Sequence, residues 1–262
     1  MQNAGTKSQK ILFLIISFTF YLLSFTFVYA TPNTHIWAPS TDVQAYKKWH
    51  ITSDFYFPTT KKDASDNYIH VNQVYGLTVG VLPDLPSLKK VQAEAGFDYK
   101  KGYGSALDTY PWYFNFKLGL SEDAYFKNMP ALAIGAYDLG TKHNKTDYDI
   151  WYLKAAKTLF IDDLSLGRFS LGYFKGNGRL LRDENDERDN SGILACWERT
   201  MTEISDRLWL AAEYQGTHSS YGTLNFGFAW KFTNNMSAIV GYDIYNNRNN
   251  TDTVTLQIDI DF

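Results

Sequence analysis

The sequence predicts an all-β fold, a single antiparallel barrel of about twelve strands preceded by a targeting segment. Two observations predict it. After residue 30, segments of about ten residues alternate apolar with polar or small side chains, which is the period-two pattern of a strand with two different faces. Clusters of Gly, Asn, Asp, Pro and Lys separate these segments, as turns do.

The amino terminus has the composition of a targeting segment. Lys7 and Lys10 precede an apolar run over residues 11–28, and the small Ala30 and the turn-forming Pro32 follow it. This order is typical of a secretory signal peptide, and we expect cleavage after Ala30. The alternative is an anchoring helix, because the run is nearly long enough to span a bilayer. No comparable apolar run occurs later in the sequence.

The last segment of the sequence shows the alternation most clearly. Val254 and Ile258 fall on one face of residues 253–262, and Thr255 and Asp259 fall on the other. The other segments repeat this pattern. Over 130–159 both faces carry apolar side chains, so the alternation does not determine which residues of these strands point inwards. The predicted strands are 46–57, 70–81, 89–99, 109–120, 130–139, 147–159, 166–176, 191–200, 205–215, 221–232, 235–246 and 252–262.

The connections between these strands alternate in length. Those near 162–163 and 233–235 are short, whereas 100–109 and 176–190 are longer and more polar. An even number of ten-residue strands with short turns on one side and long loops on the other is the pattern of a transmembrane barrel. Aromatic residues near the strand ends are typical of its two interfacial girdles.

The alternating strand that ends on Phe262 resembles the carboxy-terminal signal by which bacterial outer-membrane proteins are recognised for insertion. Over residues 46–262 the chain is similar to the outer-membrane β-barrel class, without a match to a particular subfamily. The resemblance implies location in the bacterial outer membrane, contact with its lipid, and recognition by the barrel assembly machinery. The residues expected to form the insertion signal are Leu256, Ile258, Ile260 and Phe262.

The resemblance also divides the chain into three parts: a signal peptide (1–30), a periplasmic segment (31–45) and the transmembrane barrel (46–262). The polar faces of the strands are expected to line the lumen, where charges of both signs would pair or form a polar pore. The expected lumen-lining residues are His50, Asp54, Glu94, Asp98, Lys117, Arg168, Glu198, Arg207, Glu213, Lys231, Asp243 and Asp259.

Composition and motifs exclude several classes of function. With 25 basic and 28 acidic residues there is no strong positive field for nucleic acid, and one cysteine cannot form an internal disulfide. No catalytic, cofactor-binding or metal motif is present, so we expect no enzyme and no cofactor. The predicted function is a narrow channel for small polar solutes or a closed structural barrel. The alternatives are an outer-membrane lipid hydrolase and a secreted soluble β-sandwich that binds a ligand.

Overall fold

Alternating side chains and frequent turns produce twelve strands that close into one antiparallel barrel. The computed structural model describes residues 34–61, 68–83, 90–102, 106–162 and 164–262. The predicted strand number is confirmed, and the predicted signal peptide lies outside the described residues. The strands are β1 (Trp49–Pro58), β2 (Asn72–Gly80), β3 (Val91–Lys101), β4 (Trp112–Leu120), β5 (Ala131–Gly140), β6 (Ile150–Ile161), β7 (Leu164–Lys175), β8 (Ser191–Thr200), β9 (Leu208–Gln215), β10 (Thr223–Thr233), β11 (Met236–Tyr245) and β12 (Thr253–Asp261).

The barrel closes where the first strand meets the last. β1 pairs with β2 on one side and with β12 on the other, from His50 opposite Asp261 to Pro58 opposite Thr253. Trp49 and Phe262 complete this seam, because each donates its backbone N–H to the other's carbonyl oxygen. Every strand has two partners, so no row of unpaired backbone groups is left at a sheet edge. Strands that face lipid require this, because lipid offers no hydrogen-bond partners.

The two faces of the wall have opposite character. On β12, Thr255 and Gln257 are buried inside the barrel, whereas Val254 is 38% exposed on its outer surface. Large apolar side chains are exposed around the whole barrel, among them Leu153 and Leu171. A soluble protein buries such side chains, so this closed barrel differs from the β-sandwich that was the alternative prediction.

The two ends of the barrel differ in their connections. Residues 162–163 join β6 to β7, and residues 234–235 join β10 to β11, at what we call the short-turn end. At the opposite, long-loop end, residues 59–71 join β1 to β2, and residues 176–190 join β7 to β8. The only described helix is α1 (Ala106–Thr109), between β3 and β4, and no described helix has the length and apolar character needed to cross a membrane.

A bulge in β5 settles the register that the sequence left open. Phe114 of β4 lies opposite Leu139, but Phe116 lies opposite Ala136, so β5 contains an extra residue at this point. Asp138 has a φ of 55°, which accommodates the kink. As a result the consecutive residues Tyr137 and Asp138 both line the lumen cavity.

The chain before β1 lies inside the barrel. Residues 34–45, here called the inner segment, precede the first strand in the sequence. They contain fully buried side chains such as Ile36 and Ser40. The sequence prediction placed 31–45 in the periplasm, and the described part of that range is instead in the lumen. The physical reason is that its backbone groups find partners on strands far along the chain, which no local pattern reveals.

Candidate functional site

The inner segment is fixed to the lumen wall by the carboxylate of Glu213. The backbone N–H groups of Ile36, Trp37 and Ala38 donate to this carboxylate at 3.1, 2.7 and 3.0 Å. The Asn225 side-chain amide donates to it as well, at 2.6 Å. Hydrogen bonds to a buried charge are stronger than neutral ones, so Glu213 holds the turn at the tip of the segment firmly.

Cations on the strands β4, β6 and β7 hold the middle of the inner segment. Arg168 donates to both carboxylate oxygens of Asp42 at 2.9 Å, and Lys117 donates to the Asp42 carbonyl oxygen at 2.6 Å. Lys154, which is almost fully buried, donates to the Pro39 carbonyl oxygen at 2.8 Å. Three positive side chains of the wall are therefore used to bind oxygen atoms of this segment.

The segment enters beside wall positions that have no side chain. At Gly80 a Cβ atom would lie 2.0 Å from the carbonyl oxygen of Ala45, and at Gly119 it would lie 2.6 Å from Val43. Glycine is required at Gly80, where two backbones approach this closely, whereas the neighbour at Gly119 is the Val43 side chain. The backbone N–H of Gln44 completes the attachment, donating to the Glu94 carboxylate at 2.7 Å.

Aromatic rings surround the tip of the inner segment towards the long-loop end. The Trp37 ring stacks on Tyr221 with a centroid distance of 5.8 Å, and it contacts Tyr56 and Tyr245 at 6.2 and 5.7 Å. Tyr221 also contacts Tyr148 at 5.3 Å. These contacts form an aromatic layer across one side of the lumen.

Beside the inner segment lies a cavity of about 490 Å³. The cavity wall near the long-loop end includes Asn249 and Ser220, which are both exposed, so the cavity reaches the surface at this end. Its deepest part lies among Glu94, Lys117 and Asp259, close to the short-turn end. This size is within the range of sites that bind small molecules.

Most charges of the cavity wall are paired. Lys117 lies 3.0 Å from Glu94, and Lys100 lies 2.5 Å from Asp138. Because each of these lysines has a carboxylate partner, they leave little net positive charge in the cavity.

His50 forms a similar arrangement at the bottom of the cavity. Its ring nitrogens lie 3.4 Å from Asp259 and 3.0 Å from Asp261. The carboxylates of β12 are thus bound to the neighbouring strand, which ties the closing seam together on its inner face.

The structure places most of the predicted lumen-lining residues inside the barrel, although Arg207 differs. It lies in the exposed turn before β9, since that strand begins at Leu208. Lys231 is half-buried near the short-turn end, where its backbone N–H donates to the Arg207 carbonyl. The buried or partly buried residues on inner faces are His50, Asp54, Glu94, Asp98, Lys117, Arg168, Glu198, Glu213, Asp243 and Asp259.

The predicted insertion residues lie on the opposite face of β12. Leu256, Ile258 and Ile260 alternate with the buried polar residues and are partly exposed, and Phe262 is 59% exposed. Sequence reasoning did not identify Lys100, and it missed Asp138 because the bulge hides it from a strict alternation.

Several histidines lie beside carboxylates. His50 contacts Asp259 and Asp261, as described, His35 lies 3.6 Å from Glu198, and His143 contacts Asp147 at 2.9 Å in a loop. No group of three or more His, Cys, Asp or Glu within the described ranges has the geometry of a metal site.

The charge-rich loop at the long-loop end forms its own hairpin. The backbone N–H groups of Glu187 and Asn185 donate to the Asp183 carboxylate at 2.8 and 2.9 Å, and they hold the pKa of this carboxyl below its ordinary value. Arg182 donates to the Asp186 carbonyl at 2.6 Å. The acidic groups of this loop therefore organise the loop itself.

No protein-family model and no curated protein sequence matches this chain. Solved structures of similar architecture include the KdgM porin, with 9% sequence identity, 82% of this chain and 98% of that chain covered, and a TM-score of 0.48. The NanC porin has 12% identity, coverage of 81% and 98%, and a TM-score of 0.48. An outer membrane channel from Pseudomonas putida F1 has 12% identity, coverage of 85% and 98%, and a TM-score of 0.46. The likeness concerns the arrangement of strands alone.

Proposed function

We propose that this chain is a bacterial outer-membrane channel, without enzymatic activity, for small polar solutes. The observation that carries the proposal is the inverted wall: apolar side chains cover the outside, and charged side chains line a cavity of about 490 Å³ that reaches the long-loop end. An apolar exterior is stable against lipid, and a polar interior is stable only against water, solutes or other polar groups.

The inner segment makes the passage narrow. It fills the part of the lumen next to Glu213, and its attachment to Glu94 closes the deepest part of the cavity. Solutes that enter at the long-loop end therefore reach the periplasm when this segment shifts. A barrel whose segment never shifts would be the closed structural protein that the sequence also allows.

The proposal includes a route to the membrane. A signal peptide of residues 1–30, cleaved after Ala30, directs export, and the assembly machinery recognises the outward face of β12 through Leu256, Ile258, Ile260 and Phe262. Support comes from the position of this strand, which forms the closing seam with β1 and exposes Phe262 at its end. Deletion of Phe262 is expected to slow insertion of the barrel in cells and to leave its lumen unchanged.

Conductance in a planar lipid bilayer tests the channel. The purified full-length protein, shown to be folded by its different migration in boiled and unboiled gel samples, is expected to give discrete current steps in potassium chloride. A folded protein that gives no current at any salt concentration or voltage would refute the channel and favour the closed structural barrel.

A further inference from the structure

One part of the cavity wall is a row of residues across five strands. Each member of the row lies directly opposite the next on the neighbouring strand. In order, the row consists of Asp259 (β12), Thr52 (β1), Gly76 (β2), Asp98 (β3) and Tyr113 (β4). All except Gly76 line the cavity. Directly opposite residues in an antiparallel sheet have neighbouring side chains, so this row forms one continuous surface.

Two carboxylates converge on this surface. A Cβ atom at Gly76 would lie 2.6 Å from the Asp98 carboxylate and 2.6 Å from the Thr52 methyl group, so both side chains lean over the glycine. The hydroxyl group of Thr52 donates to the Asp54 carboxylate at 2.5 Å. Asp54 and Asp98 therefore face the same part of the cavity from either side of Gly76.

These two carboxylates have no basic partner within ion-pair distance among the residues that the structure describes. The two lysines of the cavity wall are already paired, Lys100 with Asp138 and Lys117 with Glu94, and His50 contacts Asp259 and Asp261. Asp98 accepts only a long hydrogen bond of 3.4 Å from the Asn115 amide. An enclosed carboxylate without a cation is costly, and a positively charged solute would supply the missing partner.

Aromatic rings line the same cavity. Trp37, Tyr56 and Tyr245 contribute ring surface to its wall, and Tyr56 follows Asp54 on the same face of β1. Tyr113, the cross-strand neighbour of Asp98, is fully buried, and the Lys100 ammonium already lies 4.8 Å from its ring centroid. The rings that a solute in the cavity can reach are therefore those of Trp37, Tyr56 and Tyr245.

We infer that the cavity between Asp54, Asp98 and the aromatic rings of Trp37, Tyr56 and Tyr245 binds a small organic ammonium ion. The inference deepens the proposed function, since it rests on the lumen being open to solutes and names the class that it takes. Carboxylates supply the opposite charge, and aromatic faces attract an alkylated ammonium group. A bare metal ion fits less well, because no described group of three or more His, Cys, Asp or Glu has metal-site geometry.

Calorimetric titration of the full-length barrel in detergent with choline tests the inference. Dimethylbutanol is the matched ligand control, because it has the shape of choline without its charge, and it should bind at least about tenfold more weakly. The double variant Asp54→Asn, Asp98→Asn should also bind choline at least about tenfold more weakly. Asp206→Asn, in the exposed turn before β9, removes a carboxylate elsewhere and should bind like wild type.

Equal binding of choline and dimethylbutanol by the wild-type protein would overturn the inference, as would tighter binding of Mg²⁺ than of choline. Wild-type affinity in a double variant that keeps its heat-dependent migration would overturn it too. If the double variant does not fold, the comparison of the two ligands on wild-type protein still decides. Choline binding by a barrel that carries no current would refute the channel and leave the binding site intact.

Discussion

Substitution of Glu213 is expected to release the inner segment. Its carboxylate accepts the backbone N–H groups of Ile36, Trp37 and Ala38, all within 3.1 Å. Glu213→Ala leaves these three buried donors without their acceptor. An unsatisfied buried donor costs about 1–3 kcal/mol, so the loss is at least about 3 kcal/mol before water enters the space.

A loss of this size changes the population of the displaced segment by about a hundredfold, because each 1.4 kcal/mol is a factor of ten. In single-channel recordings the Glu213→Ala variant should spend correspondingly more time in a state of higher conductance. Hydrogen exchange provides a measurement that does not depend on current, since protection of the amides of Ile36, Trp37 and Ala38 should fall by the same factor. Both experiments use the full-length protein.

Gln215→Ala is the matched control for this prediction. Gln215 lies on the same strand and the same inner face, is fully buried, and donates to Thr223 rather than to the inner segment. The control should keep wild-type conductance and wild-type exchange at residues 36–38. If Glu213→Ala folds and also shows wild-type exchange there, the carboxylate does not hold the segment and the reasoning fails.

Three further predictions concern other parts of the chain. Gly80→Ala should lower the temperature at which the barrel unfolds, measured from its migration on gels after heating, more than Gly119→Ala does. The new Cβ atom meets the backbone of Ala45 at Gly80, which cannot move easily, but meets the side chain of Val43 at Gly119, which can change its rotamer. Leu171→Arg, on the outer face of β7, should destabilise the barrel in lipid by about 2–4 kcal/mol in urea titrations, whereas Ile204→Arg in an exposed turn should not. Because the pKa of Asp183 is lower in the folded loop than in an unfolded chain, its ionised carboxylate stabilises the loop at any pH above the ordinary aspartate pKa, and this stabilisation is lost as the pH falls through the pKa of the folded state. Protection of the loop amides from hydrogen exchange should therefore drop over this pH range in the wild-type protein. An Asp183→Asn variant should show no such drop.

The strands could be predicted because each is specified locally. Alternation fixes the two faces of a segment such as 253–262, and turn residues mark its ends. Inner-face residues, for example Glu94, His50 and Glu213, follow from the same alternation. Arg207 was misplaced because the strand starts one residue after it, and strand boundaries depend on pairing that a single segment does not show.

The inner segment could not be predicted for a different reason. Residues 34–45 have neither a helical nor a strand period, and the partner of Ile36 is 177 positions away in the sequence. Its conformation is set by Glu213 and Arg168 after the barrel has closed. The same holds for Asp138, whose inward direction depends on a bulge between two strands rather than on its own neighbours.

The wall of the barrel uses its charges in two separate ways. On the β7 and β9 side, Arg168 and Glu213 bind the inner segment, so their charges are satisfied whether or not a solute is present. On the β1 and β3 side, Asp54 and Asp98 face the cavity without such a partner. Because Glu213 lies on β9 whereas Asp54 and Asp98 lie on β1 and β3, changes at Glu213 should alter how often the passage opens, and changes at Asp54 or Asp98 should alter which solutes enter it. Contacts that are well separated contribute independently, so the two effects are expected to add.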